Sequence, residues 1–191
     1  MTPSRVPARQ LHTVTGDAVT LPDPNTLTHL QFRRFAGCPI CNLHLQSFAH
    51  RHEEIKAAGI NEVVVFHSPA DELRLHTDAM PFAVIADPDK RLYREFGVES
   101  GPRALLDPRA WGAIVRGVAA TLRGRLRPPA ARPTGGRLGL PADFLIGADG
   151  VVLAAKFARH ADDQWSVDDL LAQAAQAPAA GARTTRGTAG K

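Results

Sequence analysis

The sequence predicts an α/β fold in which a central mixed sheet carries helices on both faces. Three observations support this class. From Thr28 onward, strand-like apolar segments alternate with segments of helical periodicity. A hairpin pattern opens the chain, and a second hairpin pattern surrounds Asp149 and Gly150 near its end. The 191 residues are enough for one domain with a sizeable core.

The first elements follow from apolar periodicity and from Gly and Pro punctuation. The pattern predicts a hairpin around Gly16 and Asp17, a strand over Thr28–Phe35, one helix from Pro39 to Gly59, and a buried strand over Glu62–Ser68. The helix is expected to stop at Gly59, because glycine is the commonest residue at a helix C-terminus.

The later elements continue the alternation, with one interruption. They are a helix opened by Pro69, a strand over Phe82–Asp87, a helix over Pro88–Gly97, a helix over Trp111–Leu126, the Asp149–Gly150 hairpin, and a last helix capped by Ser166 and Asp169. Residues 101–139 form an insertion, and its Trp111–Leu126 helix is expected to be a lid, a dimer face or a core-packing helix. Residues 11–177 therefore make up the domain, with a flexible segment at 1–10 and a disordered basic tail at 178–191.

Composition excludes several classes of function. The net charge is +4 and the pI about 9.6, yet no helix-turn-helix, zinc-finger or aromatic-interleaved basic motif accompanies the arginines. We therefore expect a solvated basic surface and no nucleic-acid partner. No apolar run approaches the roughly 20 residues of a membrane span, and no signal-peptide h-region is present. These patterns predict a cytoplasmic protein with no membrane partner.

The only two cysteines of the chain, Cys38 and Cys41, lie three positions apart in the motif "GCPIC". In a cytoplasmic protein such a pair is more often redox-active or metal-binding than structural. The predicted strand ends just before Cys38 and the predicted helix begins just after it. Cys38 is thus expected at or beside the N-cap, with Pro39 at the first helical position, where its missing N–H costs nothing.

This placement predicts the chemistry of each sulfur. The unpaired N–H groups of the first helical turn and the helix dipole both favour a thiolate at Cys38, and a thiolate is the nucleophilic form. Cys41 lies one turn deeper on the same helix face. Cys38 is therefore expected to attack and Cys41 to resolve, giving a Cys38–Cys41 disulfide.

Two other roles are open to the cysteine pair. A structural disulfide across so short a loop gives little stability. A zinc site formed with His44, His50 or His52 is the stronger rival, but these histidines extend along one predicted helix and away from the cysteines, so redox chemistry without a metal or other cofactor is favoured.

The segments "RRFAGCPICNLHL", "VVVFHSP", "PFAVIADPDKRLYREFGV" and "LPADFLIGADGVVLAA" carry a family resemblance. Their order, over most of residues 11–175, resembles the peroxiredoxin-like branch of the alkyl hydroperoxide reductase/thiol-specific antioxidant (AhpC/TSA) superfamily. The resemblance implies a thioredoxin-like three-layer α/β/α sandwich. It also implies a thiol peroxidase that is recycled by a thioredoxin-like or low-molecular-weight thiol, and a possible homodimer.

The resemblance also implies residues around the cysteine pair. It places Pro141 opposite the pair as a cis-proline, and it brings an arginine, here Arg137, towards the thiolate. Arg33 and Arg34 are further candidates, because a guanidinium stabilises a thiolate and a developing oxyanion. Strand alternation lets only one of the two face Cys38. The alternative interpretation, for each arginine, is a charged side chain on an edge strand with no role in the site.

The sequence departs from the family at two positions. Typical peroxiredoxins carry a hydroxyl residue three positions before the attacking cysteine and a proline four positions earlier, whereas this chain has Phe35 and Gln31. Three functions therefore stay open. They are a peroxidase acting on hydrogen peroxide or organic hydroperoxides, a thiol-disulfide oxidoreductase, and a non-enzymatic redox sensor.

Overall fold

A computed structural model of the chain describes residues 3–77, 80–98, 108–128, 133–134 and 136–177. The strands are β1 Arg9–His12, β2 Ala18–Leu21, β3 Leu27–Arg33, β4 Ile60–Phe66, β5 Ala83–Ala86, β6 Ala142–Ile146 and β7 Val152–Phe157. The helices are α1 Pro39–His50, α2 His52–Ala57, α3 Ala70–Thr77, α4 Arg91–Glu95, α5 Trp111–Leu122 and α6 Val167–Ala175. A short 3₁₀ turn, Pro108–Ala110, leads into α5.

Strand β3 lies at the centre of a five-stranded sheet with the order β5-β4-β3-β6-β7. It pairs in parallel with β4 and antiparallel with β6, so the sheet is mixed, as the sequence predicts. Strands β1 and β2 form a separate antiparallel hairpin. The cysteine pair thus follows the central strand of the sheet. Because β3 has a neighbouring strand on each side, the interpretation of Arg33 and Arg34 as charges on an edge strand is wrong.

The sheet separates two apolar cores. One face packs against α1, α2, α3 and α6, with Leu45 and Phe48 among its fully buried side chains. The other face packs against α4 and the β1–β2 hairpin, with Phe32 and Phe96 at its centre. Helices on both faces confirm the predicted α/β sandwich.

Alternation along β3 decides which side chains lie under helix α1. Leu30 and Phe32 belong to the core on the α4 side. His29, Gln31 and Arg33 point to the opposite face, as their odd register requires. All three polar residues are fully buried, so their hydrogen-bonding groups need partners inside the protein.

The single helix predicted from Pro39 to Gly59 is broken in the structure. Arg51 has φ −109° and ψ 19°, which separates α1 from α2. The Arg51 guanidinium donates to Glu54 at 2.7 Å and to Asp168 at 2.6 Å, which joins the break to α6. Apolar periodicity continues through the break, so the sequence pattern alone does not show it.

The sequence predicts a flexible segment over residues 1–10, but residues 4–6 pack on the domain. The Val6 N–H donates to the Gly150 carbonyl at 2.8 Å, and the Val152 N–H donates to the Ser4 carbonyl at 3.0 Å. Val6 is buried, which explains the attachment. The tail predicted at 178–191 and part of the 101–139 insertion lie outside the described residues.

The last helix begins as predicted. The Ser166 side chain accepts from the Asp169 N–H at 3.1 Å, and the Asp169 carboxylate accepts from the Ser166 N–H at 2.9 Å. These two bonds form the capping box that the sequence indicated. Within the described ranges, no helix is long and apolar enough to cross a bilayer.

Candidate active site

The turn after β3 aims Cys38 at the start of helix α1. Gly37 has a φ of +73°, a conformation that glycine adopts without steric cost. The Cys38 N–H donates to the Phe35 carbonyl at 3.1 Å, and the Cys38 carbonyl accepts the first helical bond from the Asn42 N–H at 2.9 Å. Cys38 is the N-cap, with Pro39 at the first helical position, as predicted.

The environment of Cys38 favours the thiolate. Burial is the largest single influence and opposes ionisation. It is outweighed by a hydrogen bond from the Cys41 side chain, by the positive charge of Arg34, and by the N–H groups of Cys41 and Ile40. Together these lower the pKa of Cys38 to about 6. The sulfur is therefore largely ionised at neutral pH.

Cys41 has the opposite character. Burial, followed by its interaction with the Cys38 sulfur, raises the pKa of Cys41 well above that of an ordinary thiol. Both cysteines are free thiols with no exposed surface. The pair therefore consists of one thiolate and one protonated partner, which is the division of roles that an attacking and a resolving cysteine require.

Arg34 contacts Cys38 directly. Its Nη1 lies 3.7 Å from the Cys38 Sγ, and its Nη2 donates to the Arg137 carbonyl. The guanidinium carbons of Arg34 and Arg137 lie 5.3 Å and 5.5 Å from the centre of the Phe35 ring. Both distances fall within the range of a cation–π contact. Phe35, which occupies the position of the family hydroxyl, thus contacts two guanidinium groups, and that of Arg34 lies beside the Cys38 sulfur.

Arg33 points away from the cysteines. Its Nη2 donates to Asp143 Oδ1 at 2.7 Å and to Gln31 Oε1 at 2.5 Å, and it lies 3.2 Å from His44 Nε2. The Asp143 side chain is fully buried, like that of Arg33. Strand alternation predicted that only one of the two arginines faces Cys38, and that one is Arg34. Arg33 is not a pocket residue but one half of a buried ion pair.

The prediction that Pro141 is a cis-proline is also wrong. Within the described part of the chain the only cis peptide bond is Leu21–Pro22, so Leu140–Pro141 is trans. Pro141 directly precedes strand β6, and its carbonyl accepts from the Ala158 N–H at 3.0 Å. A trans proline fits here because its fixed φ leads into an extended strand and no ladder donor is lost. Pro141 does not line the cavity at Cys38.

A cavity of about 390 Å³ opens at Cys38, and we call it the α5 cavity. Its walls combine the turn before α1, the start of α1 and one side of α5. The lining residues are Arg34, Phe35, Cys38, Pro39, Ile40, Ile114, Val118, Thr121, Leu122 and Arg137. Four of the predicted site residues, Cys38, Pro39, Arg34 and Arg137, are therefore brought together in one apolar pocket with two cationic groups.

Residues 47–160 of the chain match the sequence family described as AhpC/TSA antioxidant enzyme. The matched segment is more than half of the chain. The chain belongs to the AhpC/TSA family. The match begins after both cysteines, so the CPxC geometry is an observation independent of it. No curated protein is significantly similar in sequence to the chain.

Solved structures share the fold of this AhpC/TSA protein. Peroxidoxin BcpB from Mycobacterium tuberculosis is similar with a TM-score of 0.64 at 18% identity, covering 93% of this chain and 97% of that one. Peroxiredoxin 6 of Arenicola marina gives 0.62 at 16% identity, covering 90% and 70%. The thiol:disulfide interchange protein DsbE from Chlorobium tepidum gives 0.55 at 20% identity, covering 91% and 98%. At these identities the likeness shows the thioredoxin-like fold. Family membership and the thiolate–thiol pair together support a thiol oxidoreductase.

Helix α5, whose role the sequence left open, forms one wall of the site. Ala113, Gly117 and Ala120 face inward. A Cβ at Gly117 would lie 2.7 Å from Pro39 Cβ, so the absence of a side chain lets α5 rest on the CPxC turn. The small residues three and four positions apart in "AIVRGVAA" are the sequence signal for this close approach. The α5 helix of this AhpC/TSA protein is therefore both a packing helix and a cavity wall.

Gly117→Ala is expected to destabilise the protein by about 1–3 kcal/mol, because the new methyl group collides with Pro39 and must displace α5. Gly112→Ala in the same helix is the matched control. There the nearest atom to an added Cβ is Arg116 Nη1 at 3.5 Å, the tip of a flexible side chain. This control is expected to be neutral or stabilising by up to about 1 kcal/mol through helix propensity. Urea unfolding measures both, and equal effects of the two changes would contradict the packing of α5 on Pro39.

The histidines named for the zinc alternative lie apart from one another. His44 lies beside Arg33, and His52 Nδ1 lies 2.7 Å from Glu62 Oε2. His50 lines a different cavity, described below. Across the described ranges, no three His, Cys, Asp or Glu side chains are grouped in a way that could hold a metal ion.

Proposed function

We propose that this AhpC/TSA protein is a thiol-dependent peroxidase that reduces hydrogen peroxide or organic hydroperoxides. The Cys38 thiolate attacks the terminal oxygen of the O–O bond, which breaks and releases the alcohol or water once a proton is taken up. Cys38 is thereby oxidised to the sulfenic acid. Cys41 then attacks the Cys38 sulfur, water leaves, and a Cys38–Cys41 disulfide forms. A thioredoxin-like or low-molecular-weight thiol returns the pair to the reduced state.

The observation that carries this proposal is the pairing of an ionised Cys38 with a protonated Cys41 at the edge of a cavity. The attack on the peroxide needs an ionised Cys38. Cys41 has to remain protonated during that attack, so that it reacts only after Cys38 has been oxidised. Membership of the AhpC/TSA antioxidant enzyme family supports the same chemistry. The apolar walls of the α5 cavity support organic hydroperoxides among the substrates.

Arg34 is placed to stabilise the oxygen atom that leaves Cys38's substrate when the O–O bond breaks. One guanidinium nitrogen already contacts the Cys38 sulfur at 3.7 Å. The Arg34 Nε is buried and has no hydrogen-bond partner within the described residues. A donor fixed beside the nucleophile stabilises the oxygen that becomes negative as the O–O bond breaks. Arg34 therefore replaces, by charge, the hydroxyl group that Phe35 does not provide.

The decisive experiment is mass spectrometry of Cys41→Ser after one equivalent of a hydroperoxide. Serine keeps an O–H that can donate to the Cys38 sulfur but cannot form a disulfide, so the sulfenic acid at Cys38 accumulates and is trapped by a dimedone-type reagent. Cys38→Ser is the control and is expected to give no adduct. A Cys41→Ser protein that forms no sulfenic acid and no higher oxide at Cys38 would rule out the peroxidase.

A second candidate is a thiol-disulfide oxidoreductase acting on protein or low-molecular-weight disulfides. Phe35 favours it, because no hydroxyl orients a peroxide at that position. The same Cys38 thiolate would attack a substrate disulfide, form a mixed disulfide and release one substrate thiol. Cys41 would then attack the Cys38 sulfur, form the Cys38–Cys41 disulfide and release the second substrate thiol. Rates of wild-type oxidation by cumene hydroperoxide and by a small disulfide separate the two functions. The peroxidase predicts faster oxidation by the hydroperoxide, and the reverse order favours disulfide exchange.

A further inference from the structure

A second cavity, of about 660 Å³, lies further along helix α1. We call it the α3 cavity, because it is bounded by α1, α3 and the segment that follows α5. The lining residues are Asn42, Gln46, Ala49, His50, Leu75, His76, Met80, Arg125, Leu126 and Arg127. Two arginines, two histidines and two amides line it, and none of the described lining residues is acidic. The cavity therefore has the donor groups to receive a polar anion.

Arg125 and Arg127 project from an anchored segment. The Arg125 N–H donates to the Ala120 carbonyl at 2.9 Å, and Leu126 between the two arginines is buried. Neither guanidinium has a hydrogen bond or an ion pair with any described residue. Their backbone positions are fixed, and among the described residues no acceptor is paired with their donors. Planar guanidinium groups of this kind bind carboxylates and phosphates in a bidentate manner.

His76 brings a further polar group to the cavity. Its Nδ1 atom is buried and has no hydrogen-bond partner within the described part of the chain. A buried polar atom without a partner costs free energy, which a bound ligand can recover. Glu72, one turn earlier on α3, accepts a hydrogen bond from the Thr134 hydroxyl at 2.5 Å and does not line the cavity.

The α3 cavity lies within reach of the cysteine pair. Asn42 and Gln46 follow Cys38 on α1 by four and eight residues, which is about 6 and 12 Å along the axis at 1.5 Å per residue. An extended tripeptide spans about 10 Å. The two cavities lie at adjacent positions of one segment, because Leu122 at the end of α5 lines the first and Arg125, three residues later, lines the second. A small ligand held by Arg125 and Arg127 can therefore extend towards the CPxC turn.

We propose that the α3 cavity binds the carboxylate groups of an anionic low-molecular-weight thiol that reduces the Cys38–Cys41 disulfide. This inference rests on the proposed function and names the chemical class of its reductant. One thiolate attacks the disulfide, forms a mixed disulfide and releases the other cysteine. A second thiol then releases the first cysteine and leaves as the oxidised disulfide. Two thiols thus supply the two electrons that the protein disulfide accepts.

The test compares glutathione with its diethyl ester as reductants of the preformed disulfide. Esterification removes both carboxylate charges and keeps the thiol, and each rate is normalised to the reaction of the same thiol with a small reference disulfide. The wild type is expected to react at least roughly tenfold faster with the free acid, from charge-assisted hydrogen bonds to the arginines. Arg125→Ala/Arg127→Ala is expected to lose this preference. Arg116→Ala/Arg123→Ala removes the same number of positive charges from residues outside both cavities and is expected to keep the preference.

Two results would overturn the proposal. One is a wild type that shows no preference after normalisation, and the other is a preference that survives in Arg125→Ala/Arg127→Ala. The disulfide is prepared with diamide, so the test does not depend on peroxide chemistry. Formation of the disulfide by hydroperoxide is measured separately in the same variants and is expected to be unchanged. A failure of the peroxidase and a failure of the reductant site are thereby distinguished.

Discussion

Arg33→Met is expected to destabilise the protein by about 3–5 kcal/mol, the usual consequence of leaving one partner of a buried ion pair alone. Asp143 Oδ1 would lose the guanidinium at 2.7 Å and keep only the weaker His29 contact at 3.2 Å. Although burial opposes ionisation most, Arg33 and then His29 hold the pKa of Asp143 below its usual range. Urea unfolding at neutral pH measures the loss.

A double variant tests whether the unpaired charge of Asp143 causes the loss of stability in Arg33→Met. Arg33→Met/Asp143→Asn removes both charges and is expected to be more stable than Arg33→Met alone, since no isolated buried carboxylate remains. Arg91→Met breaks the exposed pair with Asp89, whose atoms are 3.2 Å apart, and is expected to change stability by less than about 0.5 kcal/mol. A double variant less stable than Arg33→Met would show that lost packing, and not the unpaired charge, dominates.

Arg34→Met is expected to have the largest effect on reactivity. Burial disfavours the Cys38 thiolate, and the hydrogen bond from Cys41, followed by the positive charge of Arg34, offsets it. Without the guanidinium the pKa of Cys38 is expected to rise. Alkylation by iodoacetamide at pH 7 is expected to change only several-fold, because a more basic thiolate is also more nucleophilic. Oxidation by a hydroperoxide is expected to fall roughly a hundredfold, because the leaving oxygen also loses its donor.

The comparison of the two reagents separates the roles of Arg34. Stopped-flow oxidation and alkylation are measured on the same protein, with Arg137→Met as the matched control. Arg137 also lines the α5 cavity, but Arg34 is the arginine among the main influences that lower the pKa of Cys38, so the loss of Arg137 is expected to affect both reactions less. Equal losses in alkylation and oxidation for Arg34→Met would mean that Arg34 acts only on the thiolate and not on the leaving oxygen.

Local patterns predicted the parts of the site that depend on neighbouring residues. The position of Cys38 follows from a strand that ends, a proline at the first helical position and apolar periodicity after it. The capping box at Ser166 follows from the serine and acidic residue three positions apart. Alternation on β3 separated Arg33 from Arg34, since it depends only on the pleat of one strand.

Features that depend on distant residues could not be predicted in this way. The partner of Arg33 is Asp143, 110 positions away on β6, and no local pattern pairs them. The Arg34–Phe35–Arg137 stack joins two segments that meet only in the folded protein. Pro141 was assigned by resemblance alone, and its trans bond shows the limit of that transfer.

The pH dependence of Cys38 alkylation in the reduced protein tests the central claim most directly. The rate of modification by iodoacetamide is followed by mass spectrometry, with fragment ions that distinguish Cys38 from Cys41. Because the folded protein lowers the pKa of Cys38 to about 6, the rate is expected to rise through a midpoint near that pH and to be level above pH 7. A midpoint at roughly 8.5, the value of an ordinary thiol, would contradict the account.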